Sequence, residues 1–223
     1  MPLARMHRQV AEIALRAAAG HRFALGGANA LIAHGVVSRA TQDVDLFTDE
    51  EKGVAAAAGA VEAALRAAGL GAERQDLAGG LADVFEGMGE GLADWVITSP
   101  DGERMMLQLA YFDRAAEPVL MDVGPVLAIE DVVGGKACAL ASRAEPRDYI
   151  DVAAALSRYS ASQIISFARR LDPGLEGRDF ADAGRRLDLW GDGVFAVFGL
   201  GPGDIDRLRD QFSEWPRNWP PAA

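Results

Sequence analysis

Cysteine, cationic charge and long apolar runs are all scarce in this sequence, and each scarcity removes a class of protein. The 223 residues hold one cysteine, Cys138, so no intramolecular disulfide can form and a reducing, cytoplasmic compartment is expected. The opening residues, Met1-Pro2-Leu3-Ala4-Arg5, contain no apolar stretch of the kind a secretory signal needs. No apolar run reaches the roughly 20 residues of a bilayer-spanning helix. Even the alanine-rich stretch 54–70 is broken by Glu62 and Arg66, so no membrane partner is expected. Lys and Arg number 22 against 33 Asp and Glu, leaving a formal charge of −11. That balance excludes a broad basic surface that binds nucleic acid by releasing counterions. A polynucleotide would have to be gripped locally, at spots such as Arg5 with Arg8, Arg143 with Arg147, Arg169 with Arg170, or Arg185 with Arg186. No internal repeat is present. What the chain does have is apolar material: half its residues are hydrophobic, enough for a substantial core without crosslinks.

Two textures divide the chain. Up to about Asp122, short β-like runs alternate with helical ones; after Glu130 the pattern is helical, interrupted by Asp172-Pro173-Gly174 and Gly201-Pro202-Gly203. That order predicts an α/β domain over residues 1–125 and a helical domain over 126–223. A first helix is expected over residues 4–19, stopped by Gly20, then a short strand over 22–25. Gly26-Gly27 breaks that strand, and residues 28–34 read as a compact helix ended by Gly35. Residues 43–47 alternate acidic and apolar side chains with the period of a strand. Residues 54–68 read as a helix closed by Gly69, and two strands, 94–98 and 104–111, are joined by Ser99-Pro100-Asp101-Gly102, a hairpin signal. The glycine-rich stretch 77–91 reads as a strand with a loop.

Chemistry concentrates where the second strand begins. Alternate side chains of a strand point the same way about 7 Å apart, so Asp43 and Asp45 project together while Val44 and Leu46 enter the core. Two carboxylates aimed at one point repel unless a cation lies between them; with Mg²⁺ or Mn²⁺ both can ionise, and the metal in turn neutralises phosphate oxygens. Gly26 and Gly27 let backbone approach a phosphate closely, and an ordinary tight turn explains them equally well.

In the helical half, Lys136 falls on a helix expected over 129–142, with Leu140 and Arg143 along its flank, a face able to clamp phosphates. Pro146 suits the first position of the next helix, which puts Asp148 in its first turn and Asp151 one turn later. A structural account competes: Asp148 complements the helix dipole, and Arg147 pairs with Asp151 across one turn.

Two stretches resemble a known family. Phe23-Ala24-Leu25-Gly26-Gly27-Ala28-Asn29-Ala30-Leu31, then His34-Gly35, then Arg39-Ala40-Thr41-Gln42-Asp43-Val44-Asp45-Leu46, is similar to the first motif of the AbiEii/AbiGii-type nucleotidyltransferases, toxins of bacterial abortive-infection and toxin–antitoxin pairs that include MenT-like toxins. Lys136-Ala137-Cys138-Ala139-Leu140, Arg143 and Arg147-Asp148-Tyr149-Ile150-Asp151-Val152 are similar to its second motif. The resemblance continues weakly to about Trp215. It implies a nucleotidyltransferase-like mixed sheet flanked by helices, with the helical half completing the active-site cleft. It further implies transfer of a nucleoside monophosphate from an NTP to an RNA hydroxyl, the acceptor end of tRNA, and a cognate antitoxin as partner. Under it, Asp43 and Asp45 hold the metal; Gly26, Gly27, Thr41, Lys136, Arg143 and Arg147 contact the nucleotide; Asp148 or Asp151 orients or deprotonates the nucleophile. In some related toxins a hydroxyl residue at the place of Thr41 is modified by the antitoxin, which makes Thr41 a candidate for modification.

One position departs from the enzyme pattern. Nucleotidyltransferases usually carry a third carboxylate on a neighbouring strand, and that slot holds Gln108, which cannot serve as a base. Two alternatives therefore stay open beside the toxin reading: a nucleotidyltransferase acting on a cationic small molecule such as an aminoglycoside, and a nucleotide-binding relative without catalysis.

Overall fold

A computed structural model describes residues 3–39, 41–75 and 91–219. The chain forms two compact units, Met1–Ala128 and Ile129–Ala223.

The first unit is built on a mixed sheet with helices. Its elements are α1 (Arg5–Ala17), β1 (Ala24–Leu25), α2 (Gly27–Ala33), β2 (Asp43–Thr48), α3 (Gly53–Ala67), β3 (Gly71–Gln75), β4 (Leu92–Thr98), β5 (Arg104–Tyr111), β6 (Val119–Met121) and β7 (Gly124–Val126). The described strands form one sheet in the order β3-β4-β5-β2-β1-β7-β6. β2 runs parallel to β5 and β1 parallel to β7; the other neighbours are antiparallel.

Period-2 patterning decides which face is covered. Val44 and Leu46 of β2, Trp95 and Ile97 of β4, and Leu107 and Leu109 of β5 are all fully buried. They lie on the face covered by α3, whose Val54, Ala57, Val61 and Leu65 are buried in turn, and the Trp95 indole donates to Glu62 of that helix at 3.0 Å. Each large apolar side chain buried this way contributes about 1.5–3 kcal/mol. The helix stops expected at Gly35 and Gly69 are in place, with φ of 68° and 80°, and Gly102 turns the β4–β5 hairpin at φ 85°.

Three local expectations need correction. The first helix closes at Ala17 and a single 3₁₀ turn, Ala19–His21, absorbs Gly20, so that the left-handed residue is Arg22 (φ 53°). Ion pairs from Arg22 to Asp49 at 3.0 Å and to Glu117 at 3.1 Å accompany that conformation. β1 is two residues long, because the chain turns at Gly26 as soon as it has paired with β2. β3 and the β6–β7 hairpin were not expected at all. The strand and loop expected over 77–91 lie outside the described residues except for Gly91.

The second unit is helical: α4 (Ile129–Ser142), α5 (Pro146–Leu156), α6 (Ala161–Leu171), α7 (Gly177–Leu189), α8 (Gly193–Ala196) and α9 (Pro202–Gln211). Its core is aromatic. Tyr149 packs edge-on to Phe195 and tilted against Phe212, which meets Trp215, and Trp215 meets Phe180. Burial pushes the Tyr149 phenol up to about 12, and its hydroxyl donates to the Ala183 carbonyl at 2.7 Å. α4 packs against α6 at Gly134, where a Cβ would meet the Phe167 carbonyl carbon and oxygen at 2.9 Å. Backbone cannot yield as a side-chain tip can, so Gly134→Ala is expected to destabilise the protein by about 1–3 kcal/mol despite the better helix propensity of alanine. Urea unfolding of the two proteins checks this; equal midpoints would mean that the helices separate freely.

Candidate active site

β2 carries the candidate site of the first unit. Its burial alternates strictly, with Val44, Leu46 and Thr48 inside and Asp43, Asp45 and Phe47 half-exposed, so the two carboxylates share one face as the spacing predicts. The turn at β1 is fitted to that face. Gly26 donates its N–H to the Asp45 carbonyl at 2.8 Å, and a Cβ on Gly26 would strike the Phe47 ring. Gly27 has φ +57°, and a Cβ there would lie 1.7 Å from Asp45 Oδ2. The carboxylate therefore rests against glycine backbone, a contact no other residue permits. Both conformation and space demand glycine at position 27.

Two residues with no assigned role complete this arrangement. Asn29 is buried in α2 and its Nδ2 donates to the Asp43 carbonyl at 2.6 Å, tying the helix to the start of the carboxylate strand. Asp94 of β4 faces the same side as Gln108. Register aligns Asp45 with Gln108 and Gln108 with Asp94, and Gln108 Nε2 donates to Asp94 Oδ1 at 3.0 Å. Asn29 stood within the quoted first motif, but only the structure gives its partner; Asp94 requires strand register, which a single sequence does not supply. Thr41 is half-buried, two residues before Asp43.

The donor set suits a small divalent cation. Asp43 and Asp45 offer hard carboxylate oxygens, and Mg²⁺ is commonly held by one or two carboxylates with phosphates and water completing its shell. Among the described residues, no group of three or more His, Cys, Asp and Glu converges as a metal cluster, so the remaining ligands would come from substrate, water or neutral oxygens.

The second unit carries its own charged cluster, and here the pairing differs from the expected one. Lys136 Nζ lies 2.9 Å from Asp151 Oδ2, with the Asp151 side chain fully buried. Arg147 pairs with Glu145 at 2.9 Å, so the expected Arg147–Asp151 pair does not form. Asp148, also fully buried, is gripped by Arg143 in a two-pronged pair: Nε donates to Oδ2 and Nη2 to Oδ1, both at 2.9 Å. The Glu145 N–H donates to the same carboxylate at 3.2 Å, and the Asp148 N–H donates to the Glu145 backbone carbonyl at 2.9 Å, so Asp148 caps the start of α5. The hydrogen bonds to Asp148 raise the Arg143 guanidinium above its ordinary value. Asp148 thus serves as a cap and an orienter of Arg143, with both its oxygens engaged.

These features define a class. Three solved structures share the fold: MenT4, a nucleotidyltransferase toxin from Mycobacterium tuberculosis (TM-score 0.61, 15% identity, 93% of this chain and 82% of that one), a nucleotidyltransferase-like protein from H. pylori (0.60, 15%, 94% and 94%), and JHP933 from Helicobacter pylori (0.58, 15%, 94% and 91%). At that identity the likeness concerns fold alone. The chain is a nucleotidyltransferase of the AbiEii family: the profile of the nucleotidyl transferase AbiEii toxins of type IV toxin–antitoxin systems matches residues 10–219, and the chain belongs to that family. No significant match is found among curated proteins. Among the described residues no helix is long and apolar enough to cross a membrane.

Two substitutions check the geometry. Gly27→Ala should displace Asp45 and lower thermal stability by about 1–3 kcal/mol, through forced positive φ and overlap together; an unchanged melting curve would contradict the close contact. Asp148→Asn should cost about 1.5–3 kcal/mol, because an amide cannot accept both Arg143 donors and the cap. Chemical denaturation of the variant measures that loss, and a loss below 0.5 kcal/mol, roughly the level of an exposed ion pair, would contradict the orienting role.

Proposed function

We propose that this chain transfers a nucleoside monophosphate from an NTP to an RNA hydroxyl, at the acceptor end of tRNA, using a divalent cation held by Asp43 and Asp45. The observation that carries this reading is the pairing of those carboxylates on the half-exposed face of β2, with Asp45 seated on Gly27. Family membership supports the reaction class and a cognate antitoxin. Mg²⁺ or Mn²⁺ at that pair would neutralise triphosphate oxygens and hold the nucleotide for attack at its α-phosphorus.

The residues of the chain do the rest. Gly26 and Gly27 keep side-chain bulk away from the carboxylates, and Asn29 fixes the strand that bears them. In the second unit, Lys136, oriented by Asp151, and Arg143, oriented by Asp148, are fixed positive charges of the kind that bind phosphate oxygens. In the reaction the substrate hydroxyl oxygen bonds to the α-phosphorus, the bond from phosphorus to the β-phosphate bridging oxygen breaks, and pyrophosphate leaves. Gln108 cannot take the hydroxyl proton, the Asp148 oxygens are engaged and Asp151 is buried against Lys136, so the proton passes to solvent. Lacking a dedicated base, the enzyme is expected to be slow, since such a group is worth about 10²–10⁴ in rate.

A second reading follows from charge. A net −11 suits a cationic small molecule, such as an aminoglycoside, better than it suits a polyanion. The test is transfer of label from each α-³²P NTP, with Mg²⁺ or Mn²⁺, to total tRNA and separately to aminoglycosides, with Asp43→Ala/Asp45→Ala as control. Label on tRNA that vanishes in the control is the expected result; label on the antibiotic alone would replace RNA by the small molecule. Nucleotide binding without transfer to either would make the chain a non-catalytic relative.

A further inference from the structure

The row Asp45, Gln108, Asp94 crosses three neighbouring strands on the half-exposed face of the sheet. Its middle member occupies the slot where a third carboxylate would stand. An ionised carboxylate only accepts hydrogen bonds, so Asp94 dictates which end of the Gln108 amide faces it: the nitrogen, donating at 3.0 Å. The oxygen and nitrogen of a planar amide diverge from one carbon, so the oxygen is left for a partner other than the one its nitrogen serves. Gln108 lies between β4 and β2, with Asp94 as its register partner on one side and Asp45 on the other, so an oxygen that does not face Asp94 can turn to the side of Asp45.

We propose that Gln108 Oε1 is a neutral oxygen ligand for the cation held by Asp43 and Asp45, and that Asp94 is the positioning residue that orients it. This rests on the reading of Asp43 and Asp45 as a cation site. The arrangement has a charge rationale. Two carboxylates balance one divalent cation, and a neutral third donor adds coordination without adding negative charge where a triphosphate must bind. Asp94 stands two strand spacings from Asp45, about 10 Å between backbones, too far to share an ion directly. Its influence passes through the amide, as outer-shell partners of metal ligands commonly act.

Mn²⁺ binding, read from the electron spin resonance signal of free Mn²⁺ with and without a non-hydrolysable NTP, tests this without recourse to activity. Wild type should bind, and Asp43→Ala should not. Gln108→Met, which keeps length and loses the oxygen, and Asp94→Asn, whose amide can serve either end of Gln108 and so no longer fixes it, should each weaken binding about tenfold. The double variant should be no weaker than Gln108→Met, because Asp94 acts only through Gln108, and circular dichroism should show all variants folded. Binding lost in Asp43→Ala but unchanged in folded Gln108→Met and Asp94→Asn would overturn the proposal and leave the cation site standing. Additive losses would overturn the positioning role of Asp94. Failure of wild type to bind Mn²⁺ in either condition would overturn the cation site and the proposal together.

Discussion

The parity of β2 is the constraint on which the first unit depends. Val44, Leu46 and Thr48 are fully buried, and because strand side chains alternate, that burial forces Asp43 and Asp45 onto the opposite face. A slip of one residue would send two carboxylates under α3, at a desolvation cost on the order of several kcal/mol each. The strand is held from both flanks, parallel to β5 over six register pairs and antiparallel to β1, and Asn29 ties its first residue to α2. Core and site are therefore specified by the same short sequence, and neither can drift without the other.

The second unit solves a different problem, that of burying acids. Asp148 and Asp151 are wholly shielded, and each is matched to one cation, Arg143 and Lys136 respectively. Such pairs do little for net stability compared with apolar packing, but they fix direction. A two-pronged Arg–carboxylate pair admits one orientation of the guanidinium, and the Lys136 side chain, only 18% exposed, is held at Asp151. Cations held this way lose less freedom when they meet a phosphate, which is the form of preorganisation that phosphoryl transfer rewards.

Much of this was legible in the sequence where a local rule governs. The Asp-x-Asp strand, the helix opening at Pro146 and the turns at Gly35, Gly69 and Gly102 each follow from period, proline or glycine acting on its neighbours. The misses are tertiary. β3, Gly71-Ala72-Glu73-Arg74-Gln75, is an edge strand whose exposed charged residues carry no hydrophobic alternation; it is a strand because β4 pairs with it. β6 and β7 are three residues each, with exposed Val119 and Leu120 and with Pro125 inside the second, which reads as loop until β1 supplies a parallel partner. Arg147 chose Glu145 over Asp151 because Lys136, from another helix, already holds Asp151. Asp94 belonged to an expected strand, yet its place beside Gln108 is a fact of register.

Register also changes the meaning of Gln108. Seen as a lone departure from a pattern of three carboxylates, it suggests decay. In the sheet it separates Asp45 from Asp94, and a carboxylate in its place would put three acids at successive register positions of one face. Like charges directly opposite destabilise a sheet, and the chain already carries a charge of −11. The amide removes that repulsion and converts Asp94 from a competitor of Asp45 into a hydrogen-bond partner at 3.0 Å. A residue satisfied on one side by a carboxylate and aligned on the other with Asp45 is what the proposed cation site needs if it is to attract one cation and still admit a triphosphate.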